Sequence, residues 1–347
     1  VEDVVQKNPM GALLVLVCVA IAAPAVAQDF YKGKTINLIV GNAPGGGYDH
    51  YARLLARHMP RYIPGEPNII VKNMPGAGGM VMSNAMYSQM PRDGLTFGMM
   101  SRPNPIEPVF GNPAAKFKSE EFTWLGTSST YEDDAYSLVI RADAPFKSIE
   151  DVQKPGRPLL LGGLAAGGSD TDITLIARDV FKLNTQLVRG YGASTEINLA
   201  IMRGEVEGRA IGMSSLQTTM TEWLNQGKLR FLMQFGHETR WKGLPDVPTA
   251  RELAKSAEDK ALLELAELPF LMARPFMAPP GIPPALADIL KKAFMDAHRD
   301  ADYLREAAAM KIDVSPLSGD EIAKIVARIA KTSPAVVARY NTILHSR

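Results

Sequence analysis

Short apolar runs alternate with amphipathic stretches along most of the chain. Residues 35–40, "TINLIV", form an apolar, β-rich run that predicts a buried strand. The stretch "YDHYARLLARHM" then places Tyr51, Ala52, Leu55 and Met59 on one helical face. "NIIVKN" at 68–73 predicts a second strand, and a helix follows over 80–89. Asp93-Gly94 marks a turn before a third strand at 95–100. Strand, loop and helix in repeated succession predict a parallel sheet covered by helices.

The pattern changes near Phe122, where "FTWLGTSS" and "YSLVIRAD" predict strands of a second sheet. Ser148 is placed to cap a short helix, "SIEDVQK", and 158–163 predicts a buried strand. "GGSDTDITLIARDVFKL" opens with a glycine turn and becomes a helix. "QLVRGYGAST" repeats that order and leads into "EINLAIMRGEVEGRAIG", where Gly204 separates a helix from a strand. A helix at 214–225, a strand in "KLRFLMQFG" and a proline-marked helix in "LPDVPTARELAKS" come next. "PFLMARPFMAPPGIPPALADILKKAFMDA" predicts a strand and a long helix, with Pro283 or Pro284 in its first turn. Ser318 with Glu321 fits a capping box for a further helix. The expected fold class is therefore α/β, with two domains. Residues 28–127 and 249–347 form one of them, and 128–248 form a second inserted into it. Two chain crossings then make a hinge, as in closing ligand clamps.

The first 27 residues read differently. Residues 11–23, "GALLVLVCVAIAA", carry no charge and precede Ala25-Val26-Ala27, a small-residue cleavage pattern. This predicts an export signal peptide at 1–27, although its start holds Glu2 and Asp3 against Lys7. The apolar stretch is short for a membrane anchor. Cleavage would remove Cys18, the single cysteine, so no disulfide, thiol chemistry or cysteine metal site is expected. It would leave 37 basic against 35 acidic residues, a formal charge of +2. The chain holds no long basic run, which argues against a nucleic-acid partner. A periplasmic protein in a Gram-negative host, acting as a monomer, is the expectation.

Four loops follow predicted strands and open predicted helices. The first holds Pro44, Gly45, Gly46, Gly47, Tyr48 and Asp49, where glycines let backbone amides approach a ligand and the helix adds its positive end. Asp49 is placed to cap that helix. A dinucleotide fingerprint fails because His50 occupies its third glycine position, and a P-loop fails because Gly46 is followed by Gly47 and Tyr48. The second loop holds Pro75, Gly76, Ala77, Gly78 and Gly79. The others are "GGLAAGGSDTD" (162–172), with Gly168, Ser169, Asp170 and Thr171, and "RGYGAST" (189–195), with Tyr191, Gly192, Ala193, Ser194 and Thr195. Ser101 and Arg102 follow the third strand, where Arg102 can take a carboxylate bidentately or form a surface salt bridge.

Catalytic signals are thin. "GGSDT" departs from a nucleophile elbow at Thr171, and no histidine has a triad setting. A hydrolase using Ser169 and a sensory module signalling to a receptor kinase remain the alternatives to a binding protein without catalysis. His50 and His58 lie eight apart on one helix, too far to chelate a metal, and no cofactor is expected. Met99, Met100, Met272 and Met277 read as core fillers.

"PGGGYDHYAR", "KNMPGAGG", "DGLTFG", "GYGASTEINLAIMRGEVEGR" and "LPDVPTARELA", in this order, resemble the extracytoplasmic solute receptors of tripartite tricarboxylate transporters, the TctC-like or Bug proteins. The resemblance spans nearly all of the chain after residue 27. It implies a periplasmic-binding-protein-like, Venus-flytrap fold with a central cleft, no enzymatic activity, and capture of a small organic carboxylate. It also implies delivery to a membrane permease of one large and one small subunit. The carboxylate would be held by the two first-domain loops, with Ser169 and its neighbours and 191–195 on the second-domain side. Many such receptors have a histidine shortly after the serine matching Ser169; here Asp170-Thr171-Asp172 stand instead. An acid there repels an anionic ligand unless it is paired.

Overall fold

A computed structural model of the protein describes residues 30–130, 132, 134–164 and 168–345. The expected signal peptide, 1–27, lies outside the described residues. Eleven strands form two sheets among the described residues. The first sheet is built from β1 (Thr35–Val40), β2 (Asn68–Asn73), β3 (Thr96–Met99), β4 (Thr123–Thr127), β10 (Pro275–Ala278) and β11 (Leu317–Ser318), in the order β11-β4-β10-β3-β1-β2. The second is built from β5 (Tyr136–Arg141), β6 (Leu159–Gly163), β7 (Thr185–Arg189), β8 (Gly208–Gly212) and β9 (Leu229–Phe235), in the order β7-β6-β8-β5-β9.

β1 reads as a continuous apolar run because both its faces are covered: Ile36, Leu38 and Val40 on one side and Ile39 on the other are buried. It runs parallel to β2 and β3, as strand-helix-strand connections require. In the second sheet β6 is parallel to β7 and β8, and β5 is antiparallel to β8 and β9. Met99, Met100, Met272 and Met277 are buried core residues.

One strand departs from expectation. β4, read from sequence as part of the second sheet, pairs antiparallel with β10 and β11 in the first. Periodicity finds a strand but not its neighbour, and pairing with two strands far downstream in the chain is invisible to it. The expected helix over 214–225 is two, Met213–Thr219 and Thr221–Asn225, broken at Met220 (φ −133°, ψ 31°). A C-terminal helix, Pro334–His345, was not anticipated.

The sheets are joined where the chain crosses twice, side by side. The Ser128 amide donates to the Arg274 carbonyl (3.1 Å), and the Ala273 amide donates to the Ser129 carbonyl (3.0 Å). Buried His298 holds this crossing through Nε2 and the Ser128 hydroxyl (2.7 Å), and burial pushes its pKa down to about 4, so it is neutral there. The helix Pro334–His345 adds a further link. Tyr340 stacks on Phe110 (4.2 Å), whereas Arg339 binds Asp179 (2.7 Å) on the helix Ser169–Phe181.

β4 depends on a residue without a side chain. Gly126 has φ +147°, and a Cβ there would lie 2.5 Å from both the Leu317 carbonyl oxygen and the Phe294 ring. Gly126→Ala should therefore destabilise by about 2–4 kcal/mol in urea unfolding, from overpacking and backbone strain together. Gly33→Ala is the control: φ is +70° but nothing lies within 4 Å, so about 1 kcal/mol is expected.

Candidate ligand-binding site

Register sets the site. Val40 pairs with Asn73 and with Met99, so β1, β2 and β3 end level and their following loops start together. The first loop runs into the helix Gly47–His58. Gly46 takes the capping position and makes no side-chain capping bond; Asp49, three residues inside, reaches back instead. Its Oδ2 accepts from the Gly45 amide (2.9 Å) and from Arg53 Nε (2.8 Å), and its Oδ1 accepts from Asn73 (3.0 Å). The Arg53 hydrogen bond, aided by Gly45 and Asn73 against the opposing effect of burial, holds this carboxyl at about 2.

Asn73 also donates to the Asn42 carbonyl (2.9 Å), and the Ser101 hydroxyl donates to Asn42 Oδ1 (3.1 Å). Three strand ends are thus laced together. Gly79, with φ +91°, is required in the second loop because a Cβ would sit 2.3 Å from the Ser101 hydroxyl.

On the second sheet the same device recurs. Asp170, in the first turn of Ser169–Phe181, accepts from the Leu164 amide (3.0 Å), and Thr171 donates to the Leu164 carbonyl (3.0 Å). Glu196, in the first turn of Ser194–Arg203, accepts from the Gly192 amide (2.8 Å). Arg209 of β8 is 2% exposed and joins these two helix starts. It donates to the Ser194 carbonyl (2.8 Å) and Asn198 Oδ1 (3.1 Å), and its Nη2 lies 3.5 Å from Asp170 Oδ2. Burial lowers the Arg209 pKa, with Tyr136 and Asp170 opposing the shift. A guanidinium keeps its proton regardless.

Between the sheets lies a cavity of about 210 Å³. Its walls carry Tyr48, Arg102 and Arg274 on one side and Tyr136, Ser169, Asp170, Ser194, Arg209 and Ser215 on the other, with Leu164, Gly168, Ile211 and Gly212. Arg102 crosses it: its amide donates to the Tyr48 hydroxyl (3.0 Å), and its Nε donates to the Ser169 hydroxyl (3.0 Å). Its guanidinium lies 4.9 Å from the Phe270 ring and 5.5 Å from that of Tyr136. Arg274 lies over Tyr48 (4.6 Å) and Tyr51 (5.0 Å), beside the start of the first-loop helix at Gly47. Among the described residues, no cluster of three or more His, Cys, Asp or Glu side chains could hold a metal ion.

Of the expected site residues, Tyr48, Arg102, Gly168, Ser169, Asp170 and Ser194 line this cavity. Pro44, Gly45, Gly46 and Gly47 are exposed, as are Pro75, Ala77 and Gly78 of the second loop, where Gly76 is half-buried, and none of these is in the cavity lining. Asp49, Gly79, Ser101 and Thr171 are buried behind the loops and brace them. Tyr191 packs against the second-domain core, and Gly192, Ala193 and Thr195 are exposed beside Ser194. The sequence reading did not single out Arg209, Arg274, Tyr136 or Ser215. A signal existed for the two arginines. Each is a lone charge in an otherwise small or apolar run, "GRAIG" and "MARPF", and charges buried in such runs are rare unless they are paired or functional.

A sequence profile of the family described as "Tripartite tricarboxylate transporter family receptor" matches residues 52–342. Among curated proteins, the "UPF0065 protein in gbd 5′region" of Cupriavidus necator is 29% identical over 332 residues, covering 92% of this chain and 91% of the relative. Among solved structures, a TctC solute binding protein from Polaromonas is similar with a TM-score of 0.66 and 20% identity, covering 91% of this chain and 100% of that one. MatC from Rhodopseudomonas palustris, solved with bound malate, is similar with a TM-score of 0.60 and 20% identity, covering 90% and 99%. These likenesses agree with the periplasmic-binding-protein-like α/β fold read from sequence.

The Asp49 brace has a pH signature. Its carboxyl sits at about 2 in the folded chain against an ordinary 3.8, so the stabilisation is complete above 3.8 and is lost as pH falls to about 2. Asp49→Asn should cost about 1–2 kcal/mol at neutral pH, a figure reduced because Arg53 is half-exposed. The deficit should shrink toward zero when urea unfolding is repeated near pH 2.

Proposed function

The chain belongs to the tripartite tricarboxylate transporter receptor family, and from that membership we propose that it captures a small organic carboxylate in the cavity between its two sheets. Delivery would be to a membrane permease with large and small subunits, after export to the periplasm. One observation carries the reading: among the described residues the cavity is lined by three arginines and one carboxylate, and that carboxylate is already engaged. Asp170 faces Arg209 and the Leu164 amide, so it does not repel an anion in the way its sequence position suggests.

The cavity also speaks to ligand size. Sites for drug-sized ligands run from about 300 to 1,000 Å³, and this one is smaller. Capture would couple to domain closure because Arg102 and Ser169 come from opposite walls and grip one ligand group only when the walls are close. The same bond argues against a nucleophilic Ser169. Its hydroxyl is engaged by a guanidinium, which cannot accept its proton.

Thermal denaturation of the purified protein with a panel of mono-, di- and tricarboxylic acids tests this reading. A cognate acid at about 100 times its Kd should add about 2.7 kcal/mol of stability, a shift of several degrees in Tm. Calorimetry should give one ligand per chain, and the protein should not turn over ester substrates. If no acid in the panel raises Tm, the reading fails.

A further inference from the structure

We propose that the free edge of β2 is a docking strand, which takes up an extended, acidic segment of a partner protein by strand addition. Among the described residues β2 ends its sheet and pairs with β1 alone. The Met74 amide donates to the Val40 carbonyl (2.8 Å), which fixes which residues of the strand face β1. The amide and carbonyl of one strand residue point the same way, and the direction alternates from residue to residue. Asn68, Ile70 and Lys72 therefore face β1 with Met74, and Ile69, Val71 and Asn73 turn their backbone groups outward. No described residue bonds those outward groups. A row of donors and acceptors at strand spacing is matched by another extended chain.

Each face of this edge also carries a groove for side chains. Register places Ile69 and Val71 on the face of Ile36 and Leu38, and Lys72 on the face of Ile39. On the first face, Ile69 and Val71 open with Ala56 and Pro60 onto a groove of about 600 Å³. On the second, Lys72 opens with Ile39, Met74 and Met90 onto one of about 380 Å³. Ile70, on that second face, is 42% exposed. An added strand sends alternate side chains to the two faces, so each groove takes every second residue. Charge then sets the chemistry of the partner. Arg53 and Arg57 in the first groove are paired with Asp49 and Glu306, and exposed Glu66 disfavours an acid there. Lys72 is exposed and pairs with no described residue, so the acidic side chain of the partner belongs opposite it. β2 itself holds no acid, so a second copy of this chain brings Lys72 no counter-charge, and a lysine on an edge opposes self-pairing.

The probe is a blocked peptide, acetyl-TVEVEVT-amide, added to the purified protein while hydrogen exchange is followed by NMR. The Ile69 and Val71 amides should exchange quickly in the free protein, and saturating peptide should slow both by about tenfold or more. Replacing both glutamates with lysine should weaken binding roughly 3- to 10-fold, and Lys72→Glu should invert that preference. Two N-methylated peptides, one modified at the valines and one at the glutamates, need no protein variant that could misfold. One should lose binding and the other keep it, because only one set of amides faces β2. Four results overturn the proposal: no slowing at millimolar peptide, glutamate and lysine peptides that bind alike, methylated forms that behave alike, and slow exchange at Ile69 and Val71 without peptide. Slow exchange that appears only as protein concentration rises assigns the edge to a second copy and overturns it too. Capture of a carboxylate between the sheets is independent of all these results.

Discussion

The site depends on the buried contact between Arg209 and Asp170. An arginine that is 2% exposed would be costly without partners, and here two carbonyls, one side-chain amide and one carboxylate surround it. Asp170 in turn holds the Leu164 amide, so one chain of contacts runs from the start of Ser194–Arg203 through β8 to the loop after β6. Loss of one partner from a buried pair of this kind costs on the order of 3–5 kcal/mol, because the other charge is left uncompensated. The contact also sets the sign of the cavity. Cancelling Asp170 turns a wall that reads as acidic in the sequence into one that admits an anion.

A second regularity follows from helix physics. In three loops an acid from the first turn of the helix accepts a loop amide: Asp49 from Gly45, Asp170 from Leu164 and Glu196 from Gly192. An anion near a helix start is stabilised by the unpaired amides there, and each acid removes one donor from the set a ligand could use. The loops are therefore fixed from within. Positive charge reaches the cavity from arginines outside the loops, Arg102 just after β3 and Arg274 just before β10.

Periodicity revealed the strands and most helices because burial on one face or both imprints the sequence directly. β1 and β2 match their expected runs residue for residue, and Ser148, Ser318 and Glu321 make the capping bonds their spacing implies. What periodicity does not carry is adjacency. β4 was legible as a strand and not as a neighbour of β10. For the same reason the site was legible as four glycine-rich loops and not as a cavity. Tyr48, Ser169 and Asp170 were found through their loops, whereas Arg209 and Arg274 lie on or next to strands with no local motif. Asp49 was legible as a helix-start residue, but its choice of the Gly45 amide over a ligand depends on Arg53 and Asn73 being placed around it.

Closure and selectivity rest on different parts of the interface. Behind the cavity, Pro103 and Ile106 meet Ile173, Ile176, Phe270 and Tyr340 around a void of about 10 Å³, room for no more than one water. This seam is mostly apolar, although Ser169 and Asp172 also line it, and Arg339 with Tyr340 ties it down from the C-terminal helix. At the cavity Arg102 bridges the walls, with a hydrogen bond to Ser169 and its guanidinium near the Tyr136 ring. Apolar burial favours approach of the walls whatever is bound, at about 25 cal/mol per Å². The polar lining of the cavity, with its arginines, is the part that meets the ligand's own charge. Selection for acids thus belongs to the cationic lining of the cavity, and the seam behind it serves closure.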